Sequence, residues 1–124
     1  MPTAILRQGE YLVASIQSDL SDTEVLALRD ELTDSIGRHR ARGVIVDVRA
    51  LDVIDSFVAR SLRSIAISAR LRGAHTVVVG IQPDVAIAMV QFKLNLAPLR
   101  ATLDLDEALV LLDRLTRGDG GDDR

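Results

Sequence analysis

Asp55-Ser56 stands directly before an apolar helical pattern, with Asp47 and Asp52 upstream and Arg60 one helical turn beyond. An aspartate or serine in that position caps a helix, because its side-chain oxygen accepts from backbone amides that the helix cannot pair. A serine hydroxyl there is also open to phosphoryl transfer, and the added charge is favoured by the same free amides and by the helix field. Asp19, Asp47 and Asp55 fall near one edge of the sheet if its strands run parallel. A phosphate among these carboxylates meets like-charge repulsion, which alters a recognition surface rather than refolding a domain. Capping and modification both remain open for Ser56 at this point. Arg60 is spaced to approach a modified Ser56, although a solvated helix face explains it equally simply. Phe57 is either an interface anchor or part of the core, and core is favoured because Tyr11, Phe57 and Phe92 are the only aromatic residues.

Other chemistries lack their parts. A serine hydrolase needs a base within hydrogen-bond reach of its nucleophile, and usually a glycine-flanked elbow. Ser56 has neither: His39 ends a helix, and His75 opens a strand at the far end of the sheet. Two histidines without a suitable spacing make no metal centre, and the absence of cysteine removes thiolate ligands and nucleophiles. No run of closely spaced glycines joins a strand to a helix, so dinucleotide and phosphate loops are not expected. Hence no cofactor and no metal are assigned. A formal charge of -3 and the scarcity of aromatics argue against nucleic-acid binding, which relies on phosphate neutralisation and base stacking. Lys93 is the sole lysine among the 15 basic residues, and arginine makes forked contacts to carboxylate or phosphate that lysine cannot. No leader or spanning segment is evident, which gives a cytoplasmic expectation.

The elements that position Asp55-Ser56 follow from periodicity. Residues 4–8 and 11–16 read as a hairpin across Gly9-Glu10. Ser21-Asp22-Thr23-Glu24 is a capping box, and Val25, Leu28, Leu32 and Ile36 form one face of the helix that follows; Gly43 ends it. Val44–Val48 and His75–Val79 are short β-branched strands. Between them a helix runs to Leu71, with Val58, Leu62, Ile65, Ala66 and Ala69 inward. Pro83 opens a short, very apolar helix through Phe92, which needs cover on nearly every side or faces a partner. A short edge strand at 100–103 precedes a second cap, Asp104 to Glu107, and a terminal helix buries Ala108, Leu111, Leu112 and Leu115. The expected domain is 1–117, with 118–124 a frayed acidic and glycine tail.

Strands alternating with helices give an α/β fold: one domain, a mixed and mostly parallel sheet, an N-terminal hairpin and about four helices. Right-handed crossovers place the helices on one face. The other face is therefore expected to be thinly covered, which makes self-association plausible.

The segments Leu-Asp-Val-Ile-Asp-Ser-Phe-Val-Ala-Arg at 51–60 and Val-Gly-Ile-Gln-Pro-Asp-Val-Ala at 79–86 resemble the STAS domain family of anti-sigma factor antagonists. The resemblance runs from about Ala4 to Leu115 and is strongest to RsbS-like scaffolds of the bacterial stressosome. It implies a non-enzymatic regulator whose phosphorylated residue is Ser56, with Asp55 beside it and Asp19 as the acidic residue after the second strand. Implied partners are an RsbT-like serine kinase, RsbR-like STAS paralogues and an RsbX-like phosphatase. Phe57 and Val58 depart from the Asp-Ser-Ser-Gly of simple antagonists. Two alternatives stay open: a simple SpoIIAA/RsbV-like antagonist that binds an anti-sigma factor kinase, and a small nucleotide-binding module.

Overall fold

The computed structural model describes residues 3–17 and 21–119. Asp19 and residues 120–124 of the expected tail lie outside the described residues. The order is β1 (Thr3–Gln8), β2 (Tyr11–Ile16), α1 (Asp22–His39), β3 (Gly43–Asp47), α2 (Ser56–Leu71), β4 (His75–Val79), α3 (Pro83–Gln91), β5 (Arg100–Thr102) and α4 (Leu105–Asp119). The five strands lie in the order β1-β2-β3-β4-β5, with β1 antiparallel to β2 and the rest parallel. This is the mixed sheet with an N-terminal hairpin that the sequence pattern predicts.

Local chemistry fixes the helix starts. Ser21 Oγ accepts from the Glu24 amide at 3.1 Å, while Glu24 Oε1 accepts from the Ser21 amide at 2.9 Å. Those backbone and hydroxyl contacts hold the Glu24 carboxyl below its ordinary pKa. Asp104 repeats the device, accepting from the Glu107 amide at 2.9 Å as Glu107 reaches back to the Leu103 amide. Helices α1 and α2 bury the stripes Val25-Leu28-Leu32-Ile36 and Ala59-Leu62-Ile65-Ala66-Ala69. With Val44, Val46 and Val78 of the sheet, most of these residues make the larger core cluster. Helix α3 contributes only Val85 and Met89, leaving Ile87, Val90 and Phe92 exposed. Of the two expectations for α3, cover on nearly every side is not met, and an apolar face toward a partner is the one left open.

The second sheet face differs from the sequence expectation. Helix α4 lies across it, packing Ala108 and Leu112 against Tyr11, Ile45, Val77 and Val79. The handedness rule constrains a helix that returns the chain to a parallel strand. Helix α4 follows edge strand β5 and feeds no further strand of the described sheet, so it is free to close the opposite face. Both faces are thereby covered over β3 and β4, which explains why Val44, Ile45 and Val46 are all buried despite their alternation. Gly43, read from sequence as a helix stop, is instead the first residue of β3 and makes room for this docking. A Cβ there would lie 2.9 Å from Leu112 Cδ2 and 3.0 Å from Tyr11 Cδ1. At the same end, Tyr11 donates to Asp113, Thr116 Oγ1 lies 3.4 Å from the phenol, and Arg42 donates to the Thr116 carbonyl at 2.9 Å. Burial foremost, and then the Asp113 contact, raise the Tyr11 phenol above its usual pKa. Helix α4 runs to Asp119, two residues past the expected boundary, since helix ends are fixed by backbone geometry that composition does not set.

At the other end of the sheet two loops meet. Gly80 follows β4 with φ 83°, and a Cβ at this residue would fall 2.0 Å from Arg49 Cγ. Two substitutions test this architecture. Leu112→Ala should lower unfolding free energy by roughly 2–5 kcal/mol in denaturant titration, since it empties a fully buried position under α4. Gly80→Ala should cost about 1–3 kcal/mol from its left-handed backbone alone. It should also displace Arg49, seen as shifted Asp47 and Arg49 resonances; an unshifted spectrum with parental stability would contradict the packing.

Candidate functional site

The loop from β3 to α2 is held at both ends by apolar anchors: Leu51 and Ile54 are buried, while Asp52 and Val53 between them are exposed. It is pinned at its start by Asp47. The Asp47 carboxylate accepts from the Arg49 amide at 3.0 Å and from the Arg49 guanidinium at 3.1 Å (Nε) and 2.7 Å (Nη2). Partial burial works to raise the Asp47 pKa, but the hydrogen bonds and charge of Arg49 outweigh it and leave the carboxyl below its usual value. The same contacts raise the Arg49 guanidinium. Gln82, in the turn before α3, donates from Nε2 to the Arg49 carbonyl at 2.8 Å and approaches Asp52 Oδ1 at 3.4 Å. With the Arg49 stem lying over Gly80, the β3–α2 and β4–α3 loops are cross-linked into one surface.

On that surface α2 begins, and its start separates the two readings of Asp55-Ser56. The cap is Asp55: its extended backbone and its Oδ1, which accepts from the Val58 amide at 2.8 Å, satisfy the first turn. Ser56 is the first helical residue, is exposed, and its hydroxyl is engaged by no other described residue. The hydroxyl is left over from capping. Arg60 stands exposed one turn along the helix and makes no ion pair among the described residues. Phe57 is half-buried and belongs to neither core cluster, which corrects its assignment to the core. As first-turn neighbour of an exposed residue, it lies at the rim of the fold. Asp47 is tied to Arg49, so it supports the loop rather than standing free beside Ser56.

Two clefts flank the 52–55 segment. One of about 230 Å³ opens toward α1, between Ile16, Val25, Leu28 and Val58. The other, of about 470 Å³, opens toward α3 and includes Ser56 itself, with Val53, Val85, Ala88 and Phe92 and the acidic residues Asp52, Asp55 and Asp84. Neither histidine is placed to serve Ser56 as a base, since His39 closes α1. His75 pairs with Gly43 at the start of the parallel strands, whereas α2 starts after their ends. Among the described residues no three histidine, aspartate or glutamate side chains converge as a metal site. Sequence reasoning did not find Arg49, Gly80, Asp52 and Gln82 as a unit. The Gln82 segment was visible as a motif, but its partner carbonyl is 33 residues away in the chain.

Comparison with known proteins places the fold in a family. The STAS domain family matches residues 3–108. RsbS of Moorella thermoacetica, in a serine-to-glutamate variant, superposes with a TM-score of 0.79 at 33% identity, covering 94% of this chain and 99% of that one. A chain from a structure of the stressosome, described as a signal integration and transduction hub, gives 0.73 at 34% identity over 92% and 99%. The RsbT co-antagonist protein RsbRA of Bacillus subtilis (strain 168) is 29% identical over 98 residues; the match spans 75% of this chain and 36% of that longer relative. SpoIIAA, an anti-sigma factor antagonist, shares the fold at 15% identity with a TM-score of 0.66. The chain belongs to the STAS domain family and is a non-catalytic regulatory protein related to RsbS and other stressosome components.

Proposed function

We propose that this protein is a phosphorylation-switched scaffold of an RsbS-like stressosome, holding an RsbT-like serine kinase until Ser56 is phosphorylated. The observation that carries the reading is the division of labour at the mouth of α2: Asp55 caps, and Ser56 offers an exposed, uncommitted hydroxyl. Modification adds about -1.5 to -2 of charge next to Asp55, Asp52 and Asp84, at the rim of an apolar cleft. A partner fitted to the neutral hydroxyl then meets a desolvated charge and is rejected. The capped helix and the cross-linked loops keep the backbone in place, so the change is one of surface potential. RsbR-like paralogues fit as co-assembling partners, since the chain resembles one segment of such a relative, and an RsbX-like phosphatase would reset the serine. No helix among the described residues is long and apolar enough to cross a membrane, in keeping with a cytoplasmic role.

Incubation with an RsbT-like kinase and ATP should place one phosphate on Ser56, and Ser56→Ala should abolish labelling; persistent labelling of that variant at another single site rejects the assignment. Ser56→Glu should weaken kinase retention about tenfold or more, equivalent to ~1.4 kcal/mol, in a pull-down or calorimetric titration. Asp47 supplies a pH signature of the supporting loop. Its folded-state pKa is lowered, so its stabilisation is fully present above the unfolded carboxylate value and is lost as pH falls through the folded value. Asp47→Asn should therefore cost about 1 kcal/mol near neutral pH, with Arg49 largely solvent-screened. The difference from the parent should vanish in acid when unfolding is followed across pH.

A further inference from the structure

Helix α4 closes the sheet face over β3 and β4 from which self-association was expected. The outward side of α1 and α2 carries a different pattern. Both helices return the chain between parallel strands, so they run side by side in the same direction over one sheet face. Their charges are of opposite sign. Helix α1 holds five acidic residues against two arginines, and both arginines are already paired, to Asp30 and Asp34. Helix α2 holds three arginines and no acidic residue. Arg63 donates to the Asn95 carbonyl and Arg70 is engaged within the chain, but Arg60 is exposed with no ion pair among the described residues. Arg60, Ile67 and Leu71 recur at spacings of seven and four, so they share one stripe of α2. Ile67 is 53% and Leu71 84% exposed, and Leu26 of α1 is exposed as well.

We infer that this surface binds a second copy of the chain in a two-fold dimer, with α1 of each protomer over α2 of its partner. An isologous interface must be complementary to itself, and one helix of each sign side by side meets that condition. When two such layers meet face to face, a two-fold axis across the helices lays α1 on α1 and α2 on α2, like on like. A two-fold axis along the helices lays acid on base at both crossings. Charge therefore selects the second arrangement. Exposed ion pairs add little affinity, so burial of Leu26, Ile67 and Leu71 holds the dimer, while Arg60 and the α1 carboxylates set its orientation. Ser56 opens into the cleft toward α3. The pairing needs neither kinase nor phosphate, so its failure would leave the switch reading standing.

The test is sedimentation equilibrium of the intact, unphosphorylated chain at low and high salt. A monomer–dimer equilibrium is expected, its dissociation constant rising about tenfold or more between roughly 50 mM and 500 mM sodium chloride as the charges are screened. Arg60→Glu, Glu31→Arg and Ile67→Asp should each weaken pairing at least tenfold while melting like the parent, since all three positions are exposed. A mixture of the Arg60→Glu and Glu31→Arg chains should pair more tightly than either chain alone, because opposite charges then meet at both crossings. Val110→Asp, on the exposed side of α4, should leave pairing unchanged. A chain that stays monomeric up to roughly 100 µM overturns the assignment, even if the surface captures another STAS chain. Parental pairing in Arg60→Glu and Ile67→Asp, no gain on mixing, or loss of pairing in Val110→Asp overturns it as well.

Discussion

A helix cannot pair its first backbone amides with its own carbonyls, and at α2 that debt falls on a single carboxylate. Asp55 Oδ1 takes the Val58 amide, the carbonyl of Asp55 receives Ala59, and the helix is launched without drawing on Ser56. Had the serine been the cap, its oxygen would be turned into the first turn and shared with a backbone donor. Placing the acid first and the hydroxyl second points the hydroxyl outward. The switch proposed for this site rests on this ordering of two adjacent residues.

A surface that signals by charge must otherwise hold still. Here stillness comes from contacts between loops that are remote in sequence. Asp47 ties down Arg49, the Arg49 stem occupies the space a side chain at residue 80 would need, and Gln82 closes the arrangement on the Arg49 carbonyl. Leu51 and Ile54 root the same loop in the core, while Val53 between them remains in solvent. The apolar and acidic residues around Ser56 are thus displayed from a fixed base. In the proposed switch, charge added at Ser56 would act on a partner rather than being absorbed by movement of the chain.

The parts legible in the sequence were those set by local chemistry. Capping boxes at Ser21 and Asp104, β-branched runs at 44–48 and 75–79, and the Pro83 start all read correctly, because each depends on residues within a few positions of one another. The STAS-like segments at 51–60 and 79–86 identified the right family for the same reason. What escaped was non-local. Nothing near Leu112 states which sheet face α4 will choose, and nothing near Gly43 states that Leu112 will press on it. Phe57 was misplaced because scarcity of aromatics argues for burial in general, while its position in the first turn of a surface helix decides the particular case. The Arg49-Gly80-Gln82 contact was hidden by the 30-odd residues of α2 and β4 that separate its halves.

The docking of α4 joins the beginning of the domain to its end. Tyr11 meets Asp113 and Thr116 across separations of 102 and 105 residues, and Ile45, Val77 and Val79 cluster with Ala108 and Leu112 of α4. During synthesis the hairpin, β3 and β4 all emerge before the segment that shelters one side of them. A growing chain therefore carries a bare aliphatic face until the last helix arrives, and long-range contacts of this kind close slowly. For the assembly with similar chains proposed above, that interval is when a wrong sheet could be offered to it. Timing of the final helix then becomes as much a safeguard of correct assembly as its packing is of stability.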